Sequence, residues 1–224
     1  MLRYGLSWAA LALAAIPAAA RAQDIAHDEY LVRVTPGPKR YFHLDNGERA
    51  GCPARTVACR RTAYVVSGDE LVAWGETRGF TRVTFLPSGG GRPTSGWIES
   101  AALARVRLPA RGLDAWMGSW VGWNGSIDIT PSRQPGGLHV AGIATWGGHD
   151  PDRVARGAIN TGDFEDDLAP QGNMLTYPEG SEDKMPEPDG DCRIQMRLIG
   201  PYLSVADQGI CGGVNVSFAG LYRR

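Results

Sequence analysis

The fold is decided by the stretch Cys192-Arg193-Ile194-Gln195-Met196-Arg197-Leu198, in which apolar and polar side chains alternate. This alternation is typical of a β-strand with one buried face. Tyr202-Leu203-Ser204-Val205 follows after Gly200-Pro201, so we predict an antiparallel hairpin whose paired residue numbers sum to about 400. A third alternating stretch, Val214-Asn215-Val216-Ser217-Phe218, extends this hairpin to a meander compatible with a closed barrel or a sandwich.

The rest of the chain favours the same class. The 224 residues contain 30 glycines and 15 prolines, which divide the sequence into short segments. Residues 80–85 alternate strictly, and 30–34, 63–66, 70–74, 127–129, 138–146, 158–160 and 174–177 have further strand patterns. We therefore predict an all-β protein.

The N-terminus predicts export. Residues 1–22 combine a cation at Arg3, an apolar run from Leu6 to Ile16, and Ala20-Arg21-Ala22 before Gln23. This order is typical of a secretory signal peptide cleaved before Gln23. The apolar run has about half the length that a membrane-spanning helix needs. We expect a periplasmic or secreted product without a membrane span.

A change of pattern divides the mature chain. Strands of one small domain, with an N-terminal extension, occupy residues 23–103. Residues 104–114 contain a proline, a glycine and three arginines, which predicts a linker, although the arginines also suit one face of an edge strand. A new strand pattern fills residues 115–224, which we assign to a second β domain.

The first domain resembles bacterial SH3-like domains of the SH3b type. The motifs that carry this resemblance are Tyr64-Val65-Val66 before Gly68-Asp69, Gly79-Phe80 with Val83, and Gly96-Trp97-Ile98 ahead of Leu103. The resemblance implies a small barrel in which the Gly-Trp-Ile strand and the closing leucine are architectural. Members of this family often accompany cell-wall proteins and some bind peptidoglycan peptides, which implies a cell-wall partner.

The second domain has two resemblances. Gly118-Ser119-Trp120 is similar to the Gly-x-Trp that opens lipocalin-like barrels, which implies a calycin-like barrel. The ending from Cys211 to Arg224 resembles that of secreted proteobacterial proteins of uncharacterised function and implies no activity. A sandwich is the alternative fold.

The four cysteines suit an exported protein. Cys52 and Cys59 enclose six residues, and Cys192 and Cys211 enclose 18. The predicted hairpin places Cys192 opposite Gln208, only three residues from Cys211. We therefore expect each cysteine to bond its neighbour in sequence. A zinc site of four thiolates is the alternative, but neither pair has the spacing typical of structural zinc.

Charge excludes some partners and leaves others open. Without Arg3 and Arg21, 21 basic residues face 24 acidic ones, so we expect neither nucleic acid nor an anionic membrane as a partner. The acids concentrate in the second domain, and those that could serve a carboxylate-dependent hydrolase are Asp163, Glu165, Asp166, Asp167, Glu187, Asp189 and Asp191. A solvated loop over residues 178–190 is the plainer interpretation, and calcium binding by the last three acids is a further alternative.

Known catalytic signatures are absent from the sequence. Gly-x-Ser-x-Gly and His-Glu-x-x-His do not occur. His139 and His149 precede the cysteines of the second domain, the reverse of the order in peptidoglycan-cleaving cysteine enzymes. We expect neither an enzyme nor a cofactor or metal, and we expect His149 to be a loop histidine without a partner.

Aromatic side chains carry the binding prediction. Tyr64, Trp74 and Phe80 are the candidates for a shallow ligand groove, because exposed rings offer contact area at little entropic cost. Trp97 is assigned to the core.

These observations predict an exported, non-catalytic binding protein that recognises peptidoglycan fragments or an envelope protein. One alternative is an inhibitor or immunity protein against a cell-wall hydrolase such as lysozyme, with the acidic loop at residues 179–191 meeting a basic enzyme. The other alternative is the carboxylate-dependent hydrolase.

Overall fold

The computed structural model describes residues 29–89, 91–178 and 192–224. The predicted signal peptide, and residues 179–191 of the acidic loop, lie outside these ranges. The described residues form two antiparallel sheets and one short α-helix, α1 (Pro151–Ala155), so the all-β prediction is confirmed. None of the helical segments in these ranges is long and apolar enough to cross a membrane.

The first sheet contains seven strands in the order β3-β2-β6-β5-β4-β1-β7. They are β1 (Tyr30–Val34), β2 (Arg40–His43), β3 (Arg60–Val65), β4 (Glu70–Thr77), β5 (Phe80–Phe85), β6 (Thr94–Glu99) and β7 (Leu103–Arg105). Short 3-10 turns at Val57–Cys59 and Ser100–Ala102 precede β3 and β7. The meander β4-β5-β6 follows the predicted pattern, and β7 then returns to pair with β1. β2 is a strand that the sequence did not predict.

The second sheet contains eight strands in the order β11-β10-β9-β8-β15-β14-β13-β12. They are β8 (Gly118–Gly122), β9 (Gly125–Pro131), β10 (Leu138–Trp146), β11 (Asn160–Leu168), β12 (Met174–Tyr177), β13 (Ile194–Ile199), β14 (Tyr202–Asp207) and β15 (Gly220–Arg223), with a 3-10 turn at Leu113–Ala115 before them. At the two ends of the order, the rings of Phe164 and Tyr177 lie 5.1 Å apart between centroids. The sheet is therefore a nearly closed antiparallel barrel rather than a sandwich.

The deciding hairpin has the predicted turn and nearly the predicted register. Ile194 pairs with Asp207 and Ile199 with Tyr202, so paired numbers sum to 401. The third strand of the meander is wrong, because residues 214–218 form no strand and β15 begins only at Gly220.

Asp207 explains the missing strand. It accepts a hydrogen bond from the Ser217 hydroxyl at 2.9 Å and another from the backbone N–H of Phe218. Asn215 adds a left-handed backbone conformation, with φ of 67°. The backbone here therefore follows the Asp207 carboxylate instead of a strand partner, although Val216 and Phe218 still fill the barrel core.

The barrel and the first sheet have separate cores joined by a third cluster. The barrel interior contains Trp116 and Trp120, which are 1% and 0% exposed. A smaller cluster joins the sheets and consists of Leu31, Val72, Leu86, Ile199, Tyr202 and Leu221. The Tyr202 hydroxyl also donates a 3.0 Å hydrogen bond to the Glu70 carbonyl. The last strand of the first sheet, β7, ends at Arg105 and so includes the first two residues of the predicted linker. The division into two separate domains stays a prediction.

Candidate binding face of the first sheet

The first sheet has one buried face and one outer face. Val83 on β5 and Ile98 on β6 are fully buried in its core. Because successive side chains of a strand point to opposite faces, Arg82 and Trp97 lie on the outer face. Trp97 is half-buried there, so its assignment to the core is wrong. Its neighbour Ile98 takes the core position, and Trp97 pairs in register with His43 of β2.

Trp74 and Trp97 lie on either side of one arginine. The Arg82 guanidinium carbon is 4.3 Å from the ring centroid of Trp74 and 5.6 Å from that of Trp97. Both distances are within the range of cation-π attraction. The Asp45 carboxylate is 3.7 Å from the same guanidinium. Trp74 therefore lies on this outer face in a small aromatic and cationic cluster.

Tyr64 is the most exposed of the three predicted groove residues. Its side chain on β3 is 46% exposed and makes an edge contact with Tyr41 of β2 at 5.9 Å between ring centroids. The Lys39 ammonium lies 4.0 Å from the Tyr64 ring centroid. This aromatic pair is accessible to a ligand at the β3 edge of the sheet.

Phe80 is placed differently. It is 3% exposed, and its ring packs 4.9 Å from that of His43. The Phe80 ring is therefore covered and offers a ligand no surface of its own. The structure places all three predicted residues on the same side of the sheet, but no contact joins them into one groove.

A cleft lies beside Tyr41, between β2, β6 and the loop closed by Cys52 and Cys59. Its volume is about 220 Å³. The side chains that matter for its chemistry are Lys39, Arg40, Tyr41, His43, Arg55, Arg60 and Glu99. The cleft was not predicted, although the basic and aromatic run Lys39-Arg40-Tyr41 was a usable signal.

The disulfide loop forms one wall of this cleft. The His43 ring donates a hydrogen bond through Nδ1 to the Ala54 carbonyl at 3.0 Å. The Arg55 Nε donates to the Glu99 carboxylate at 2.9 Å. These two contacts hold the loop against β2 and β6. Gly96 permits the close approach of these strands, because a Cβ there would lie 3.1 Å from the His43 carbonyl oxygen.

The cleft is positively charged. Glu99 is the acid in its lining, and Arg55 already pairs with it. Within the described residues, no carboxylate forms an ion pair with Lys39, Arg40 or Arg60. The Arg60 guanidinium lies 4.7 Å from the Tyr41 ring centroid, which keeps both side chains at the rim. This arrangement can bind a small anion or carboxylate next to an aromatic surface.

Both predicted disulfides are present. Cys52 bonds Cys59 and Cys192 bonds Cys211, with Cα atoms 5.6 Å and 4.6 Å apart. All four thiols are thereby used, so the zinc alternative is wrong.

Four of the candidate hydrolase acids, Asp163, Glu165, Asp166 and Asp167, lie on β11. Asp163, Glu165 and Asp167 alternate along β11 on the outside of the barrel. The sequence missed this strand because acids occupy three of its four outward positions, Asp163, Glu165 and Asp167, with Thr161 as the fourth. His139 on β10 lies 3.1 Å from the Glu165 carboxylate and 3.0 Å from that of Asp167. Asp166 is half-buried. The remaining candidates, Glu187, Asp189 and Asp191, fall outside the described residues. Among the residues that the structure does describe, there is no cluster of acids, histidines or cysteines suited to a metal.

His149 has a partner, contrary to the sequence prediction. Its ring stacks on Trp123 with centroids 3.6 Å apart and planes 12° apart. Its Nε2 also donates to the Trp123 carbonyl at 2.5 Å. This pairing fixes the β8–β9 turn against the loop before α1.

Comparison with known proteins adds no assignment: no family model, curated protein or solved structure matches this chain.

Proposed function

We propose that this protein is an exported, non-catalytic binding protein of the cell envelope whose cleft recognises anionic peptidoglycan fragments. The observation that carries this proposal is that Lys39, Arg40 and Arg60 line one cleft together with Tyr41, and that no carboxylate of the described residues pairs with these three cations. Guanidinium groups bind carboxylates through paired, charge-assisted hydrogen bonds. The stem peptides of peptidoglycan carry such carboxylates. An envelope protein with an exposed acidic segment would meet the same chemistry.

The size of the cleft limits what it binds. A volume of about 220 Å³ is below the range of roughly 300 to 1,000 Å³ that is usual for drug-sized ligands. The cleft therefore holds one terminal group of a fragment, and the rest of the ligand lies along the outer face. Tyr64, next to Tyr41, is the nearest exposed ring for that second contact.

The SH3b-type fold is part of this proposal. Gly96-Trp97-Ile98 lies on β6 and Leu103 begins β7, which returns to β1 after one 3-10 turn. That return brings the last strand next to the first, as expected in a small barrel.

A calycin-like relation is proposed for the second sheet. Gly118-Ser119-Trp120 begins β8, and the Trp120 ring is buried inside the nearly closed barrel. Side chains fill this interior, including Trp116, so the ligand is assigned to the first sheet and not to a cup inside the barrel.

Export is proposed from the N-terminal sequence. The two disulfides support it, because structural disulfides persist in oxidising compartments. N-terminal sequencing of protein from the periplasm or medium should begin at Gln23. Recovery of an uncleaved chain from the cytoplasm would contradict this location.

Sedimentation with purified sacculi tests the binding proposal. We expect the full-length protein to pellet with sacculi and the double variant Lys39→Ala with Arg60→Ala to lose about 10-fold or more in affinity. Arg133→Ala with Arg156→Ala is the matched control, because it also removes two charges, at exposed arginines away from the cleft. Equal pelleting of all three proteins, or none by the wild type, would contradict the proposal.

A further inference from the structure

The barrel has an exposed face over β8–β11 that the proposed function does not use. Cross-strand pairing defines its rows. Val121, Ser126, Ile143 and Asp163 form one row, because each pairs with the next across the sheet. Ser119, Asp128, Ala141 and Glu165 form the next row, and Thr130, His139 and Asp167 form a third. We call this surface the barrel face.

The first row of the barrel face carries two exposed apolar side chains. Ile143 is 53% exposed and Val121 is 45% exposed, and both lie in the first row with Ser126 between them. Contact of these apolar side chains with water is unfavourable, so a partner that covers them would gain free energy. Exposed apolar side chains within a polar rim are a common feature of interaction sites.

Acidic side chains occur in all three rows of the barrel face. Four carboxylates lie on it, and none of its rows contains a lysine or arginine. His139 contacts two of the four, Glu165 and Asp167, which restricts their side chains before any partner arrives. Arg223 of β15, opposite Val121, marks where the acidic area ends. The carboxylates stand on paired strands, so their spacing is fixed by the sheet.

We propose that the barrel face docks a protein surface rich in lysine and arginine. The exposed side chains of Val121 and Ile143 supply apolar contact area, and the carboxylates select a basic partner by charge complementarity. This site is independent of the cleft, because it lies on the other sheet and has the opposite charge.

A second copy of this chain fits the barrel face less well than a different basic protein. Four cations of the first sheet are already paired within the chain: Arg33 with Glu70, Arg55 with Glu99, Arg61 with Glu48 and Arg82 with Asp45. The cations without a carboxylate partner among the described residues, Lys39, Arg40 and Arg60, line a recessed cleft rather than an open surface that could cover the barrel face. A contact between one copy's barrel face and another's first sheet would also be heterologous, and such contacts produce rings or open filaments instead of the common two-fold dimer. The occupant is therefore a separate basic protein.

Binding of lysozyme, used as a strongly basic protein probe, tests this proposal with the full chain. We expect saturable one-to-one binding at low salt that weakens as salt is added. Acetylated lysozyme, whose lysines have lost their charge, should bind at least 10-fold more weakly. No binding of lysozyme would overturn the proposal.

Matched variants separate docking on this face from general attraction between opposite charges. Asp128→Asn with Asp163→Asn should weaken lysozyme binding about 10-fold, whereas Asp114→Asn with Asp152→Asn, an equal charge change at exposed sites elsewhere, should leave it within about 2-fold. Equal losses in the two double variants would overturn the proposal.

A second pair of variants tests the contribution of the exposed apolar side chains. Ile143→Ala should weaken binding about 5-fold, and Val154→Ala on α1, where the side chain is 49% exposed, should not weaken it. Self-association that increases with protein concentration and disappears in the Asp128→Asn, Asp163→Asn variant would identify a second copy as the occupant and overturn the proposal.

Discussion

The barrel encloses two of its four tryptophans in its core, whereas both tryptophans of the first sheet lie outside its core. In the barrel, Trp116 and Trp120 are enclosed, and the Trp120 indole N–H donates to the Trp116 carbonyl at 2.7 Å. In the first sheet, Trp74 and Trp97 lie outside the core on either side of Arg82. Burial of large rings stabilises the barrel, whereas the first sheet leaves rings where a ligand can reach them. We therefore expect substitutions of the enclosed tryptophans to affect mainly stability, and substitutions on the outer face of the first sheet to affect mainly the proposed ligand binding.

Charge divides in the same direction. Residues 29–105 contain 11 basic and 7 acidic side chains, and residues 113–224 contain 8 basic and 15 acidic ones. This division of charge supports both proposals, an anionic ligand on the first sheet and a basic protein partner on the barrel.

The largest expected loss of stability is at a tryptophan of the barrel core. Trp120→Ala should lower the free energy of unfolding by about 3 to 5 kcal/mol, because it empties the barrel core. Trp74→Ala should cost about 1 kcal/mol or less, because its ring is partly exposed. Urea unfolding of both variants measures the difference. Similar losses would show that Trp74 is as structural as Trp120.

Removal of either disulfide should have the next largest effect on stability. Replacing either pair with serine should lower stability by about 2 to 4 kcal/mol, with the larger loss for Cys192 and Cys211, which close the longer loop. Binding should distinguish the pairs. Loss of the bond between Cys52 and Cys59 releases a cleft wall and should reduce sacculus binding, whereas the barrel pair should leave it intact in protein that is still folded. The opposite pattern would place the ligand on the barrel.

Tyr222 tests the barrel core through pH. Burial raises the pKa of the Tyr222 phenol above its usual value near 10. Above that pH the unfolded chain releases a proton that the folded chain keeps, so the free energy of unfolding should fall as pH rises. Tyr222→Phe should reduce this fall and cost about 1 kcal/mol at neutral pH, because the hydroxyl no longer donates to the Phe218 carbonyl. Urea unfolding at pH 7, 9, 10 and 11 measures both effects. An unchanged alkaline slope would contradict the role of Tyr222.

The smallest effect on stability is expected at the edge of the first sheet. Tyr64→Ala should change the melting temperature little, because the side chain is nearly half exposed, but it should weaken sacculus binding several-fold. Phe80→Ala is the contrasting variant, since loss of a buried ring costs about 3 to 5 kcal/mol. A stable Tyr64→Ala protein with unchanged binding would remove Tyr64 from the ligand surface.

The strands with regular alternation were predictable, and those shaped by distant contacts were not. β5 and β10 have the predicted bounds, and the deciding hairpin differs by one from the predicted register sum. β11 was hidden because acids fill three of its four outer positions, and residues 214–218 follow Asp207 instead of pairing as a strand. Alternation shows which side chains share a face but not whether a remote carboxylate claims the backbone.

The binding surface was predictable only in part. Tyr64 and Trp74 lie on the outer face, as the sequence suggested, but the cleft needs residues from β2, β6 and the disulfide loop. Lys39 and Arg60 are 21 positions apart and meet only because β2 pairs with β3. The missed strand β2 is thus the reason that the cleft was also missed.

The most direct test of the central claim is a titration of the full-length protein with a soluble disaccharide-peptide fragment of peptidoglycan and with the same fragment after amidation of its carboxylates. We expect the free acid to bind. Amidation of the fragment should lower the affinity about 10-fold or more, and so should the Lys39→Ala, Arg60→Ala variant, because each change removes the charge pairing in the cleft. Equal affinity for the two fragments, or full affinity in the double variant, would contradict this claim.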